Sequence, residues 1–266
     1  MPSPRRNDFK KNKIRPHKSK YWLHPKIDDP DEFKERIRFL CSLYLQSREL
    51  HKQGIHLVSL DEKTGIQALE RLHEDIPMKP GKIALREYEY IRHGTLSLIA
   101  AKHLGTGKIL PPLIRKTRNE KDFLEFIQKT VATDPNKKWI FIADQLNTHM
   151  SASLVEWIAK EAGLKRELGK KGMSGIQKNK VSRKQFLEKE SHSIRFVYTP
   201  RHCSWMNQIE VWFGQLQSQA LTRGSFTSTK DLRKRLLAYI RYYNNCLAKT
   251  YKWKYKGGEI SLLLNA

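Results

Sequence analysis

The apolar positions of this 266-residue chain change period from segment to segment. Residues 57–62 and 139–144 each form a short run rich in β-branched or aromatic side chains and closed by acid: Asp61 and Glu62 in the first, Asp144 in the second. Such runs suit strands buried on both faces. A third run, 194–198, is stopped by Thr199-Pro200. Between 95 and 114 the alternating Leu96, Leu98 and Ala100, the Gly105-Thr106-Gly107 turn and a second apolar stretch predict a β-hairpin. Pro111 and Pro112 put its outer strand at an edge or stop it early.

Other segments carry helical spacing. Asp29-Pro30-Asp31-Glu32 is a helix start, and Phe33, Ile37, Leu40, Tyr44 and Ser47 recur on one face until Gly54. Asn119 caps a helix through Phe123, Phe126, Ile127 and Val131 that Asp134-Pro135 breaks. Ser153 with Glu156 reads as a capping box for a helix through Leu154, Val155 and Ile158, ended by Gly163. Ser204 is the expected cap of a helix whose stripe is Trp205, Ile209, Trp212, Phe213, Leu216 and Ala220. Glu210 stands at the edge of that stripe, with Gly214 one turn on. A last helix spans about 229–245 through Leu232, Leu236, Tyr239, Ile240 and Tyr243. Strands alternating with helices predict one α/β domain built on an open sheet.

Charge adds a partner class. Lys and Arg number 51 against 27 Asp and Glu, a formal net charge of +24, which favours an acidic polymer. The surplus is concentrated. The first 26 residues hold Arg5, Arg6, Lys10 and Lys11 among other cations and few apolar residues, so they read as a basic arm. Residues 165–193 carry nine Lys and Arg, including Lys170, Lys171, Lys178 and Lys180, against three Glu. With Gly169, Gly172 and Gly175 they read as an inserted basic loop holding a short helix near 182–190. Cys41, Cys203 and Cys246 lack metal-ligand spacing, which argues against a disulfide framework or a zinc finger. No apolar run is long enough to span a membrane and the basic N-terminus lacks a secretory apolar region, so a reducing, cytoplasmic home is expected.

Asp144 alone fits a turn residue as well as a functional one. Asp61 with Glu62 and Glu210 change that balance. Acids at the ends of two strands and a helix carboxylate at the rim are what a two-metal phosphoryl-transfer site needs, with hard oxygens holding a pair of Mg²⁺ or Mn²⁺ ions about 3.5–4 Å apart. His149, five residues beyond Asp144, can bond a phosphate or a metal-bound water, or can be an ordinary loop histidine. Asn147 can orient the same loop, and Arg201 and His202 can hold a phosphate. Trp205, Trp212 and Phe213 are expected in the core, because helical spacing already explains them.

Three blocks carry a family resemblance: Val58-Ser59-Leu60-Asp61-Glu62-Lys63-Thr64-Gly65-Ile66-Gln67, Ala143-Asp144-Gln145-Leu146-Asn147-Thr148-His149, and Thr199-Pro200-Arg201-His202-Cys203-Ser204-Trp205-Met206-Asn207-Gln208-Ile209-Glu210. In that order they resemble the catalytic region of mariner-type DDE transposases in their bacterial insertion-sequence branch, and the likeness extends over about residues 20–258. The resemblance implies a ribonuclease H-like mixed sheet flanked by helices, and a catalytic, metal-binding triad of Asp61, Asp144 and Glu210 with two Mg²⁺ ions. It also implies double-stranded DNA as partner, a homodimer in the DNA complex, movement of an element into TA targets and a bacterial, nucleoid-associated location.

The expected division is a basic arm and helix over 1–54, then a catalytic domain over 55–258 with 165–193 inserted. Family members carry helix-turn-helix units ahead of the catalytic domain, and 1–54 holds no complete one, as a truncated or split gene would give. The interval from Asp144 to Glu210 is longer than in animal mariner relatives. A nuclease of the same fold that cuts without joining, and an inactive or repurposed DNA-binding protein, are the alternatives.

Overall fold

The computed structural model describes residues 29–164, 167–201 and 203–255. Its centre is a five-stranded mixed sheet in the order β3-β2-β1-β4-β5, formed by β1 (Ile55–Arg71), β2 (Tyr90–His103), β3 (Leu113–Arg115), β4 (Lys138–Ala143) and β5 (Ile194–Tyr198). The first three strands pair antiparallel, while β1 with β4 and β4 with β5 pair parallel. Helices cover both faces, which is why β4 and β5 read as continuous apolar runs. On one face Val58, Leu60, Phe141 and Phe196 pack with helices α2 (Glu120–Val131), α3 (Ala152–Glu161) and α4 (Lys180–Leu187). On the other, Leu57, Ile140, Ile142 and Val197 pack with α1 (Pro30–Lys52), while Leu96, Leu98 and Ala100 pack with α5 (Gln208–Leu216) and α6 (Thr229–Tyr242).

Helix α1 starts as the sequence predicts. The Asp29 carboxylate accepts the N–H groups of Asp31 and Glu32, and Ile37, Leu40, Tyr44 and Ser47 turn inward. Asn119 caps α2 in a reciprocal capping box with Asp122. Among the described residues no helix is long and apolar enough to cross a membrane.

Four expectations are corrected. Strands β1 and β2 run on together to the pair Arg71↔Tyr90, well beyond the predicted ends. Most residues of that outer ribbon lie at least partly exposed, so backbone pairing forms strands there without an apolar signature. Conversely β3 is only three residues long. Pro111 and Pro112 have no N–H to give, and pairing dwindles to a bridge between Lys102 and Ile109 before resuming at Leu113.

Helix α3 is capped by Ser151, whose hydroxyl accepts from the Leu154 N–H at 3.3 Å. Ser153 is engaged elsewhere, its hydroxyl donating to Glu120 Oε1 at 2.7 Å. Ser204 opens a 3-10 turn, Ser204–Met206, and α5 begins only after Asn207, which leaves Trp205 48 % exposed rather than in the core stripe. Within the basic insertion the expected short helix is α4, which buries Phe186 and Leu187 in the core.

The turn between β2 and β3 is fixed by a close approach. Gly107 has φ +78°, and a Cβ there would overlap the carbonyl group of Lys249, in the tail that follows α6. Gly163, at φ +63°, faces open space. Gly163→Ala is therefore expected to lose only the left-handed backbone penalty of about 1–2 kcal/mol, and Gly107→Ala distinctly more, since the tail must also shift. Urea-unfolding midpoints of the two variants make the comparison, and equal losses would show that the tail does not press on the turn.

Candidate active site

Parallel pairing puts two acids side by side. In the register of β1 and β4, Ser59 stands opposite Ile142, so two residues further along each strand Asp61 and Asp144 emerge together at the C-terminal edge, with strands about 4.8 Å apart. The two-residue period of a strand also separates Asp61 from Glu62. Asp61 shares the face of Ser59, toward α5, whereas Glu62 turns to the other face, where its Oε1 lies 3.7 Å from His149 Nε2.

Glu210 enters from α5. That helix is moored to β1 by Asn207, fully buried, whose Nδ2 donates to the Leu60 carbonyl at 2.9 Å and to Asp61 Oδ2 at 3.0 Å. Its Oδ1 accepts from the Ser59 hydroxyl, which in turn accepts the Ile209 N–H at 2.9 Å. Glu210 follows in the first turn, solvent-exposed rather than at the edge of the packed stripe. Behind this junction the Tyr44 hydroxyl of α1 donates to the Met206 carbonyl at 2.6 Å.

The three carboxylates feel one another. Burial first, then the facing charge of Asp144 and more weakly that of Glu210, push the Asp61 carboxyl up to about 7, against the Glu62 N–H and the His149 charge, which favour its ionised form. Asp144 goes the other way. Burial would raise it, but His149, the Leu146 N–H and Lys180 hold it below the usual carboxylate range.

His149 is no loosely held loop residue. It is fully buried, with Nδ1 2.7 Å from Asp144 Oδ1, and its ring packs on Phe123. Burial alone would lower its imidazolium, yet the facing Asp144 and Glu62 carboxylates raise it to about 9. Asn147 is exposed at the start of the 3-10 turn Thr148–Met150, and its side chain caps nothing.

Cations rim the acids. Lys180 Nζ donates to the Gln145 carbonyl at 2.6 Å, and its charge is felt by Asp144. Burial lowers both Lys180 and Lys184, and the nearby Arg201 lowers each further. Arg36, which donates to the Tyr198 carbonyl at 2.9 Å, lies close enough to lower Lys184 as well. Lys170 and Lys178 are exposed, and Lys171 faces Glu120 at 3.5 Å. Arg5, Arg6, Lys10, Lys11 and His202 lie outside the described residues.

Sequence reasoning missed Asn207, Ser59, Arg36 and Lys184. Asn207 did leave a signal, an Asn three residues ahead of Glu210 in the spacing of a helix cap. Its side chain makes no cap and goes to β1 instead.

The residues suit divalent cations. Among the described residues Glu62 Oε1, on the His149 side, is buried without a hydrogen-bond partner, and Asp61 holds its proton unusually tightly because it is buried and faces the charges of Asp144 and Glu210. Hard carboxylate oxygens gathered this way are the donor set that Mg²⁺ and Mn²⁺ take.

The architecture defines the class first: a mixed α/β domain with acids at the C-terminal edge of its two central parallel strands. It matches the ribonuclease H-like fold of the Mos1 mariner paired end complex with Mn (TM-score 0.53, 13% identity), over 88% of this chain and 62% of that one. A pre-cleavage Mos1 transpososome matches equally (0.53, 13%, 88% and 62%), and the Mos1 strand transfer complex nearly so (0.51, 12%, 88% and 61%). The chain thus spans about three-fifths of the length of these proteins. The family model for DDE superfamily endonucleases matches residues 56–233, and the chain belongs to that family. None of the curated proteins compared with it matches.

Asp61 generates a pH prediction. The folded chain keeps on Asp61 a proton that the unfolded chain releases between 3.8 and about 7, so its contribution to cation-free stability falls as pH rises through that interval. In the presence of a chelator Asp61→Asn is expected to stabilise the fold above pH 7, by on the order of 2 kcal/mol, and to give no such gain below the unfolded value. Melting curves followed by circular dichroism test this, and a gain independent of pH would show that repulsion at Asp61 is not its source.

Proposed function

We propose that this chain is the catalytic domain of a transposase, cleaving DNA strands with divalent cations and joining an insertion element to TA targets. The observation that carries the reading is the meeting of Asp61, Asp144 and Glu210 at one edge of the sheet, where the charges of the latter two reach Asp61. On this reading residues 55–258 form the catalytic unit and 1–54 an arm and helix, in a cytoplasmic, nucleoid-associated protein of bacterial insertion-sequence type.

Asp61, Asp144 and Glu210 would hold two Mg²⁺ ions, with Mn²⁺ able to substitute. Bound there, the ions supply charge stabilisation for the entering and leaving oxygens of an in-line displacement and activate water or a DNA 3′-hydroxyl. The chain's own residues do the positioning. Asn207 fixes the Asp61 carboxylate and the start of α5 together, and His149 holds Asp144 by one oxygen while leaving the other free. Lys180, Lys184 and Arg201 stand where the phosphates of double-stranded DNA would lie, with Lys170, Lys171, Lys178, His202 and the arm cations Arg5, Arg6, Lys10 and Lys11 as further contacts.

Support also comes from the neighbours, described as Mos1 paired end and strand transfer complexes, one of them with Mn. A homodimer in the DNA complex is part of the proposal. The outer ribbon and its connection expose Leu72, Ile76, Met78, Ile83, Leu85 and Tyr88, an apolar surface suited to cover by a second copy.

With Mg²⁺ or Mn²⁺ the purified protein is expected to nick DNA carrying the element's ends. Asp144→Asn should lower nicking by at least about 10³-fold and leave binding within a few-fold of wild type. Nicking that survives would remove Asp144 from the mechanism. A strand-joining assay on TA-containing duplexes separates the transposase from a nuclease that only cuts.

Binding should weaken steeply with salt, because neutralising phosphates releases counterions. Replacing Lys170, Lys171 and Lys178 together with Gln is expected to flatten the log–log slope by about 0.9 for each phosphate the variant no longer neutralises. An unchanged slope would take the insertion off the DNA.

A further inference from the structure

At the N-terminal end of β1, roughly 16 Å along the strand from Asp61 at about 3.3 Å per residue, three histidines converge. His51 comes from the last turn of α1, His56 from the start of β1 and His103 from the end of β2. One ring nitrogen of each lies within 4.8 Å of the others. His103 is 4 % exposed, and His51 stands at the solvent edge of the group. We infer that His51, His56 and His103 form a binding site for a borderline transition-metal cation, zinc in the first instance, separate from the carboxylate site.

The surroundings are those of a ligand set. His56 places its Nε2 2.9 Å from Asp134 Oδ2, which fixes the ring and turns Nδ1 inward. A carboxylate behind a ligating imidazole is the usual outer partner at zinc sites. His56 is further held by Trp139, whose ring centroid lies 4.3 Å away.

His56 Nδ1 lies 2.9 Å from His103 Nε2, while His103 Nδ1 accepts the Thr106 N–H at 3.1 Å. A single proton, on His103 Nε2, therefore joins the two rings. A cation taken up between His56 Nδ1 and His103 Nε2 displaces that proton; His103 then carries its proton on Nδ1, gives up the Thr106 N–H and donates to Thr106 Oγ1, 3.1 Å away. Among the described residues His51 Nδ1 is buried and has no hydrogen-bond partner, a cost that coordination of this ring and the reorientation it brings would remove.

Close packing delivers His51 to the group. A Cβ on Gly105 would come within 2.6 Å of the His51 Cβ, so only glycine lets α1 settle against this turn. Ligand nitrogens in a tetrahedral zinc site stand about 3.4 Å apart, given Zn–N distances near 2.0–2.1 Å. A modest rotation of the edge residue His51 closes the set, and a water fills the fourth place. With Nδ1 accepting the Thr106 N–H, the His103 ring is neutral, as a ligand must be. Imidazoles select zinc over Mg²⁺, which prefers hard oxygens, and the two sites would take different ions.

A cation here would tie the end of α1 to β1 and to the β2–β3 turn. The full-length chain, stripped with chelator and kept in excess Mg²⁺, is titrated with Zn²⁺ against a chromophoric competitor. X-ray absorption at the zinc edge reads the ligands. One equivalent of zinc with imidazole scattering and a rise in Tm are expected. His51→Ala should weaken binding at least about 100-fold, and Asp134→Asn, which would touch no metal, about 10- to 100-fold.

Both substitutions sit at accessible positions, and circular dichroism establishes that each variant is folded. The Asp144→Asn variant should bind zinc as the wild type does, so the outcome is independent of the carboxylate site. No stoichiometric uptake by the wild type, an oxygen-only shell, or unchanged affinity in folded His51→Ala would overturn the inference.

Discussion

The parallel pairing of β1 with β4 is the constraint on which the molecule rests. It buries Val58, Leu60, Phe141 and their neighbours between two helical layers, and the same register brings Asp61 and Asp144 together just past the end of that pairing. Two carboxylates so placed repel, and burial of Asp61 strengthens the repulsion. The apolar interior holds them there regardless, because sliding one strand by a residue would exchange its two faces and set each side chain against the wrong helical layer. His149, charged and wedged between Asp144 and Glu62, offsets part of the strain. A site under such tension is suited to an incoming cation.

Helix α5 brings the third acid, and its placement is polar rather than apolar in origin. Asn207 gives its amide donors to Leu60 and Asp61 and its carbonyl oxygen to Ser59, so the start of the helix is tied to the strand that bears the first carboxylate. A buried amide with every partner in place specifies a single arrangement, whereas apolar packing alone would tolerate a slipped helix. Tyr44 extends the tie to α1. The N-terminal helix is thus part of the frame behind the site, and the histidine group at its far end bears on the same frame.

Much of the architecture was legible along the chain. The runs at 57–60, 139–143 and 194–198 are strands because they are short, β-branched and aromatic, and bounded by acid or proline. Helices α1 and α2 begin at the asparagine and aspartate that the capping rules pick out. Failures cluster where tertiary contact competes with local pattern. Ser153 looks like a cap but bonds Glu120, and Ser204 looks like a cap but opens a 3-10 turn. The outer ribbon of β1 and β2 buries only Ile66, Ala68 and Leu96, too short an apolar alternation to mark strands of its length, and backbone pairing extends it to Arg71 and Tyr90.

By itself, then, the sequence determined the core strands and most of the helices, that acids close two buried apolar runs, and that the chain is strongly basic, since these follow from periodicity and composition. Tertiary structure alone decided that Asp61 and not Glu62 faces Glu210, that Asn207 locks a helix to a strand, that His149 is buried between carboxylates, and that His51, His56 and His103 meet. Each of these depends on distances between residues far apart in the chain, and only the register of strands and the packing of helices set those distances.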